Sequence, residues 1–419
     1  MGIPFITKGL YRFYDVLHGG TLNAYYRQIR DANENQTPFK KSDIESYLEE
    51  WGFDPDLENN PLMNKEDVVS WREKLDPSEI HLYAYTGGSY GEPLRVPYSK
   101  KRAMIRTATF RYSIEAGGYR LGEPFLMIRN NDKPGWKKFL RNETIFTPHD
   151  ISEPVIGELC EQVRRRGIQF VIGLPTVIYE MALYLHKYPE KKQGISLNAM
   201  MSISEPLERV KRELIRDVFE CRFTDRYSNE ETGLIAQQKE FGGDYIVNRF
   251  GVYVEIVDPE TLKPVAEGES GKVVVTDITN DLVPVVRYDT GDIAIASQYQ
   301  HGELYSLKEI VGRETEQIFT ADGRPIASLT LSKFIYKPLA NTAKVYPFQM
   351  AQTQKGEYEL RLKANSESIP KGTVEEITGG LKSVLGNNAS IRVRLVEDIK
   401  PQPSGKRPIF KNEMNGDRL

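Results

Sequence analysis

Cysteine is scarce in this sequence of 419 residues, which contains two. Cys160 and Cys221 fall on a helix-like and a strand-like segment, so neither a zinc cluster nor a disulfide scaffold is indicated. Sparse thiols of this kind are typical of proteins from a reducing compartment. We therefore expect a cytoplasmic protein.

Long apolar runs and clustered positive charge are also missing. No run of about 18 apolar residues is present, so we expect no membrane span, and the N-terminus lacks the apolar part of a cleavable signal. The chain has 56 Lys and Arg against 59 Asp and Glu, and apart from Arg164–Arg166 the basic residues are dispersed. We therefore expect no nucleic-acid partner.

A length of 419 residues allows two or more domains, and a composition of 39% apolar and 27% charged residues is ordinary for a soluble globular protein. Asn64, followed by acidic residues, predicts the start of a helix. Short apolar strands alternate with amphipathic helices over residues 124–250, which predicts a parallel sheet with ligand loops at the carboxyl ends of its strands.

The pattern changes twice after residue 243. Alternating residues from Val252, and apolar segments at 272–276 and 283–286, predict a small antiparallel barrel or sheet. The last hundred or so residues mix strands with a helix that Thr373 and Glu376 would begin as a capping box. The predicted α/β fold is thus a large N-terminal domain with mixed or parallel sheets, helices and a β-barrel-like part, followed by a small α+β C-terminal domain.

A glycine-rich loop lies between a strand at 81–85 and a returning strand at 94–98. Its backbone amides could turn toward phosphate oxygens, with hydroxyl groups as further donors. Glu92 and Pro93 stand where a P-loop needs lysine and a hydroxyl residue, and the glycine spacing does not fit a dinucleotide-binding loop. A plain hairpin turn is the alternative. The phosphate-binding candidates are Thr86, Gly87, Gly88, Ser89 and Gly91.

This loop resembles the signature Thr-Ser-Gly-Ser-Thr-Gly-Lys-Pro of the adenylate-forming enzymes, which include acyl-CoA synthetases and adenylation domains. Gly87, Tyr90 and Glu92 depart from that signature, and Glu92 brings a negative charge where the family has a positive one. Further segments follow in the family's order. Ser204, Glu205 and Pro206 resemble the adenine-side loop of the phenylacetate-CoA ligase branch, although an N-cap followed by proline explains them equally well.

Residues 225–233 resemble the family's Tyr-Gly-x-Ser/Thr-Glu segment. The resemblance implies that Tyr227 stacks on adenine and that Glu231 binds magnesium. Ser228 replaces the glycine and Glu230 replaces the hydroxyl residue, so either acid could be the metal ligand, and the register favours Glu231. An acidic surface loop is the alternative.

Residues 284–292 match Pro-x-x-Arg-Tyr-x-Thr-Gly-Asp, the most specific resemblance in the chain, and place Asp292 after a glycine turn at a strand end to accept the ribose hydroxyls. Residues 311–316 resemble the joint between the family's two domains, which assigns Arg313 to ribose or phosphate and Thr315 to the hinge. Ser404, Gly405 and Lys406 resemble the loop that carries the catalytic lysine.

The resemblance implies ATP-dependent activation of a small carboxylic acid to an acyl-adenylate, with Mg²⁺ and with coenzyme A as the expected acceptor. It is greatest to phenylacetate-CoA ligase-like enzymes, including capsule polysaccharide biosynthesis relatives. It also implies an AMP/ATP-binding domain at 1–314, a mobile domain at 315–419 and an acyl pocket along 173–179. Transfer to an amine in polysaccharide biosynthesis, an inactive nucleotide-binding relative and a homodimer stay open.

Overall fold

The secondary structure of this computed structural model covers most of the chain. Residues 19–85, 95–129, 133–148, 150–205, 209–313, 318–323, 325–326, 348–363, 369–399 and 409–414 are described, with isolated positions at 9, 13, 15, 16, 331, 334, 335, 338 and 339. The described helices are α1 (Thr21–Glu34), α2 (Lys41–Glu50), α3 (Lys65–Arg72), α4 (Lys100–Ala116), α5 (Gly135–Arg141), α6 (Glu153–Arg165), α7 (Pro175–Lys187), α8 (Arg209–Phe219) and α9 (Lys371–Leu385), with 3-10 turns at Leu57–Asn59, Pro77–Glu79 and Pro189–Lys192.

The described strands form one large sheet and three smaller ones. In chain order they are β1 (Leu82–Tyr85), β2 (Arg95–Tyr98), β3 (Phe125–Ile128), β4 (Glu143–Phe146), β5 (Phe170–Gly173), β6 (Ala199–Ile203), β7 (Arg222–Asn229), β8 (Gly233–Gln238), β9 (Tyr245–Val247), β10 (Val252–Val257), β11 (Ser270–Asp277), β12 (Tyr288–Gln300), β13 (Glu303–Arg313), β14 (Ile318–Phe319), β15 (Pro325–Ile326), β16 (Phe348–Gln354), β17 (Glu357–Lys363), β18 (Ser390–Val396) and β19 (Phe410–Asn412).

The large sheet has eleven strands in the order β10-β11-β12-β13-β9-β8-β7-β6-β5-β3-β4. Its β7-β6-β5-β3-β4 part is parallel throughout, as the alternating pattern predicts. Strands such as β5 are apolar along their whole length and fully buried, because helices cover both faces. Residues of α6 and α7 pack on one face, and Ile114 of α4 packs on the other.

The predicted barrel-like part is instead an extension of this sheet. β8, β9, β10, β11 and β13 pair antiparallel where their partners are described, and β10 is an edge strand, so the described strands close no barrel. The predicted strand at 283–286 is also wrong. Pro284 has no N–H to donate to a strand. The amides of Val285 and Val286 donate to the side chains of Tyr47 (3.2 Å) and Met63 (3.4 Å), so this is a buried loop.

Residue contacts divide the chain into two compact units. The first comprises residues 1–207, 211–290 and 294–310, and the second comprises 208–210, 291–293 and 311–419. A sheet of order β18-β17-β16-β19 forms the second unit's core with α9. This helix begins at Lys371, after Pro370, so the predicted capping box of Thr373 and Glu376 is wrong. The division at 314/315 and the mobility of the C-terminal domain stay predictions.

The hairpin that flanks the glycine-rich loop is confirmed, since β1 pairs antiparallel with β2. The loop residues at 86–94 lie outside the described part of the chain. Within the described part, no helix is both long enough and apolar enough to span a membrane.

Candidate functional site

The acidic segment at 225–233 ends β7 and turns into β8. Asn229 Oδ1 closes this turn by accepting hydrogen bonds from the amide and the hydroxyl of Thr232, each at 2.7 Å. Gly233 has φ +92, and a Cβ there would lie 2.2 Å from Nη1 of Arg106. The turn therefore favours glycine at this position because of its backbone conformation, and a larger residue would also displace the end of the arginine side chain.

The two acids in the turn have different surroundings. Glu230 is exposed, and its Oε2 accepts a hydrogen bond from Arg106 Nη2 at 3.2 Å. Glu231 is half-buried, and its Oε1 accepts a hydrogen bond from the hydroxyl of Tyr288 at 3.2 Å. Glu230 is thus engaged in an ion pair at the surface, whereas the carboxylate of Glu231 is directed toward the start of β12.

A second contact joins the same two segments. The hydroxyls of Tyr227 on β7 and Thr290 on β12 lie 3.4 Å apart, and Thr290 donates a hydrogen bond to the carbonyl of Val273 at 2.9 Å. Residues 227–231 and 288–290 are about sixty positions apart in the sequence, yet their side chains meet at the carboxyl end of β7. The fold thereby brings together two of the segments that the sequence marked as functional.

Arg102 of α4 supports the turn that carries Glu231, and the sequence analysis did not identify this residue. Its side chain is 1% exposed, and its Nη2 donates to the carbonyl of Glu231 at 2.6 Å and to Asp277 Oδ2 at 2.7 Å. Its Nη1 donates to the hydroxyl of Thr279 at 3.3 Å. The sequence near Arg102 shows only that Ser99 can cap α4, and the hydroxyl of Ser99 does accept a hydrogen bond from the amide of Arg102 at 3.0 Å. No sequence pattern indicates that Arg102 would contact Glu231, Asp277 or Thr279.

The loop after β6 contacts the predicted acyl-pocket segment. Glu205 Oε2 accepts hydrogen bonds from the hydroxyl of Thr176 at 2.7 Å and from its amide at 3.3 Å. Thr176 lies in the first turn of α7, where a carboxylate is favourable because helix N-termini present unpaired amides. Ser204 is exposed and has φ +70, a left-handed conformation that is unusual for serine. This loop is therefore fixed by its carboxylate despite a strained backbone.

Comparison with known proteins extends this description. No family model matches the chain. It is 23% identical over 275 residues to phenylacetate-coenzyme A ligase of Thermus thermophilus, a match that covers 59% of each protein and so less than two thirds of the relative. A crystal structure of 2-hydroxyisobutyryl-CoA ligase, in the postadenylation state with R3-HIB-AMP, superposes with a TM-score of 0.65 at 17% identity and covers 95% of this chain and 89% of the other. The chain therefore shares the fold of this CoA ligase.

A second solved structure shares this fold. ATP-bound MatB from Rhodopseudomonas palustris superposes with a TM-score of 0.55 at 16% identity, covering 80% of this chain and 67% of that one. The two predicted ribose-side residues Asp292 and Arg313 lie on β12 and β13. Asp292 follows Gly291, which has φ +72, but it lies within β12 instead of at the end of a strand, so that placement is corrected. Arg313 is the last residue of β13.

Eight of the predicted site residues lie outside the described part of the chain. The roles assigned to them stay predictions. The roles of the described residues also stay predictions, and these residues are Ser204, Glu205, Tyr227, Glu231, Asp292 and Arg313. The positions outside the described residues are Thr86, Gly87, Gly88, Ser89, Gly91, Pro206, Thr315 and Lys406, together with the departures Tyr90 and Glu92.

Within the described residues, no group of three or more His, Cys, Asp or Glu side chains could hold a metal ion. Magnesium in nucleotide sites takes most of its ligands from phosphates and water, and one or two carboxylates suffice. The half-buried carboxylate of Glu231, whose Oε1 accepts a hydrogen bond from the hydroxyl of Tyr288, is compatible with that requirement.

Proposed function

We propose that this chain uses ATP to activate a small carboxylic acid and then transfers the acyl group to coenzyme A. In the first step an oxygen of the carboxylate attacks the α-phosphorus of ATP, which forms the acyl-adenylate and releases pyrophosphate. In the second step the thiol of coenzyme A attacks the acyl carbon, loses its proton and releases AMP. A cytoplasmic location and a homodimer are part of the same proposal.

The observation that carries this proposal is the meeting of residues 227–231 with 288–290. Tyr227 lies against Thr290, and Glu231 lies against Tyr288, so the proposed adenine-side and metal-side groups share one end of the sheet. Ligands collect at the carboxyl ends of strands in parallel α/β sheets. The names of the relatives, one a coenzyme A ligase of phenylacetate and one a ligase bound to an acyl-AMP, support the same chemistry.

The proposed roles follow from charge. Pyrophosphate departure and phosphoryl transfer concentrate negative charge, which enzymes stabilise with preorganised donors and cations. Glu231 would hold Mg²⁺, which supplies positive charge to the phosphate oxygens. The loop from Thr86 to Gly91 would donate amide and hydroxyl hydrogen bonds, and Lys406 would add a cation. Asp292 and Arg313 would bind the ribose side, and Thr315 would be the hinge of the domain at 315–419.

The decisive experiment is acid-dependent exchange of labelled pyrophosphate into ATP, screened over aryl, fatty and amino acids, with reactions lacking acid or containing a chelator as controls. We expect exchange with at least one acid and its loss when the divalent cation is chelated. A protein that binds ATP but exchanges with no acid would be the inactive nucleotide-binding relative.

Product analysis then identifies the acceptor. A thioester formed only with coenzyme A supports the proposal. Adenylate turnover that coenzyme A leaves unchanged but an amine accelerates would replace it with amide formation.

A further inference from the structure

An arginine next to Tyr227 has no partner within the described residues. Arg226 is half-buried on β7, its Nε makes no contact with solvent, and no nitrogen of its guanidinium has a hydrogen-bond or ion-pair partner in the described part of the chain. Arg102 and Arg249 also have a buried, unbonded Nε, but each of them pairs with a carboxylate through another nitrogen at 2.7 Å. Arg226 lacks such compensation.

Arg226 has an aromatic ring on one side and a paired arginine and glutamate on the other. Its guanidinium lies 5.6 Å from the ring centre of Phe110 on α4, and its strand neighbours in register are Ile203 on β6 and Gln237 on β8. The nearest charged groups are Arg106 and Glu230, which are paired with each other at 3.2 Å. Burial, followed by the repulsion from Arg106, lowers the pKa of Arg226 to about 10, so the group remains charged at neutral pH.

A cation in this position is costly without an anion. Burying a charge without a partner is unfavourable, and the face of one aromatic ring compensates for only a small part of that cost. Buried polar groups without partners are rare in folded proteins and call for a ligand, an ion or a water molecule. An anion of suitable shape would therefore bind to Arg226 favourably, because a guanidinium can donate two parallel hydrogen bonds to a carboxylate.

The position of Arg226 relates this cation to the acid substrate. It lies three residues before Asn229, which corresponds to roughly 10 Å along the strand, and the turn that carries Glu231 begins there. Both the side chain of Arg226 and the backbone of Glu231 contact α4, through Phe110 and Arg102 respectively. A substrate with one end at the phosphates near Glu231 can extend along α4 toward this guanidinium.

We propose that Arg226 binds a second carboxylate of the acid substrate, so that the enzyme prefers dicarboxylic acids to aryl or fatty monoacids. This inference rests on the proposed activation of a carboxylic acid, and it names the class of acid.

The test compares dicarboxylates from malonate to suberate, and phthalate, with monocarboxylates of equal length and benzoate. Binding of each acid alone is measured by calorimetry, which requires no turnover, and kcat/KM is measured by pyrophosphate exchange. We expect at least one dicarboxylate to exceed its monoacid partner by about 10- to 100-fold in both measurements, the range that one charge-assisted hydrogen-bonding contact supplies. Arg226→Met should abolish this preference, and Arg226→Lys should retain part of it.

Arg120→Met is the matched control, because the side chain of Arg120 is 78% exposed and its ion pair with Glu123 is local, so the preference should be unchanged. If the wild-type protein binds diacids and monoacids equally, or Arg226→Met keeps the preference, the inference is wrong even where exchange proceeds. A binding preference that depends on Arg226, in a protein without exchange, would instead contradict the proposed activity alone. Should Arg226→Met fail to fold, Arg226→Lys decides, since lysine keeps the charge but loses the two-pronged hydrogen bonding.

Discussion

Glu230 and Glu231 are adjacent, chemically identical residues with different hydrogen-bond partners. Glu230 pairs with Arg106 at the surface, whereas Glu231 accepts from the hydroxyl of Tyr288. An exposed ion pair contributes at most about 1 kcal/mol to stability. The carboxylate of Glu231 is the one that lies with the motif residues of β12, which favours it as the metal ligand.

We predict that Glu231→Gln abolishes magnesium-dependent pyrophosphate exchange, because an amide keeps the shape of the side chain but loses the anionic charge that a hard cation prefers. Glu230→Gln, the matched control in the same turn, should retain most of the activity. The measurement is the exchange rate as a function of Mg²⁺ concentration. A greater loss in Glu230→Gln would show that the proposed register is wrong by one residue.

Lys406 is proposed as the cation that acts on developing charge. Lys406→Ala should slow adenylate formation by roughly 10² to 10³, the usual effect of removing one such donor. Lys371→Ala, at the exposed start of α9, is the control and should exchange pyrophosphate at the parental rate. Parental exchange in Lys406→Ala would remove this residue from the proposed mechanism.

At the scale of elements, α4 connects the acidic turn to β11. The ion pair between Arg102 and Asp277 is at 2.7 Å with both side chains almost fully buried, and Arg102 also donates to the backbone of Glu231. Removing one member of such a pair leaves the other charge buried without compensation. The position of the turn thus depends on an arginine more than a hundred residues away.

Arg102→Met should lower the free energy of unfolding by about 3–5 kcal/mol, the typical cost of breaking a buried pair. Adding Asp277→Asn should recover part of that loss, because the uncompensated carboxylate is then gone. Urea denaturation measures both variants, and Arg120→Met at the surface should change stability by less than about 1 kcal/mol. Additive losses in the double variant would mean that the two side chains are not energetically coupled.

The end of β19 gives a pH-dependent prediction. Hydrogen bonding from Arg361 on β17, followed by Lys411, lowers the pKa of Glu413 from 4.5 to about 2 although burial opposes this shift. A carboxyl whose pKa is lower in the folded state stabilises the fold above the unfolded pKa. This stabilisation is complete above about pH 4.5 and is lost as the pH falls toward 2.

Glu413→Gln should therefore lower the melting temperature at pH 6 and should make little difference at pH 2. Melting temperatures of wild type and variant across this range are the measurement. Glu375→Gln, at an exposed position of α9, should show no such pH-dependent difference. A constant difference between Glu413→Gln and wild type at all pH values would contradict an electrostatic origin.

At the scale of the whole molecule, the chain has two compact units with separate cores. One core lies in β16–β19 and α9, and the others lie in the first unit. Units with their own cores can unfold independently. Calorimetry should then resolve two transitions, with Glu413→Gln shifting one and Arg102→Met the other. A single transition that both variants shift equally would indicate that the units unfold cooperatively.

Prediction from sequence was most successful where the signal is local. Asn64 forms the predicted cap of α3, and β3 has the predicted bounds, because caps and apolar periodicity are encoded within a few residues. The predicted strand at 283–286 was wrong because Pro284 has no N–H to donate to a neighbouring strand. The predicted start of α9 was wrong because the helix begins directly after Pro370. In both cases a single proline determined the local structure against the pattern of the neighbouring residues.

The sequence by itself determined the order and type of most elements and the order of the motifs, because periodicity, turn residues and motif spacing are properties of neighbouring residues. Only the tertiary structure decided that Tyr227 meets Thr290, that Arg102 supports Glu231, and that the antiparallel strands extend the sheet instead of closing a barrel. It also decided that Arg226 lacks a partner within the described residues. Such features depend on packing between segments tens to hundreds of residues apart, and no local pattern specifies which side chains will face each other.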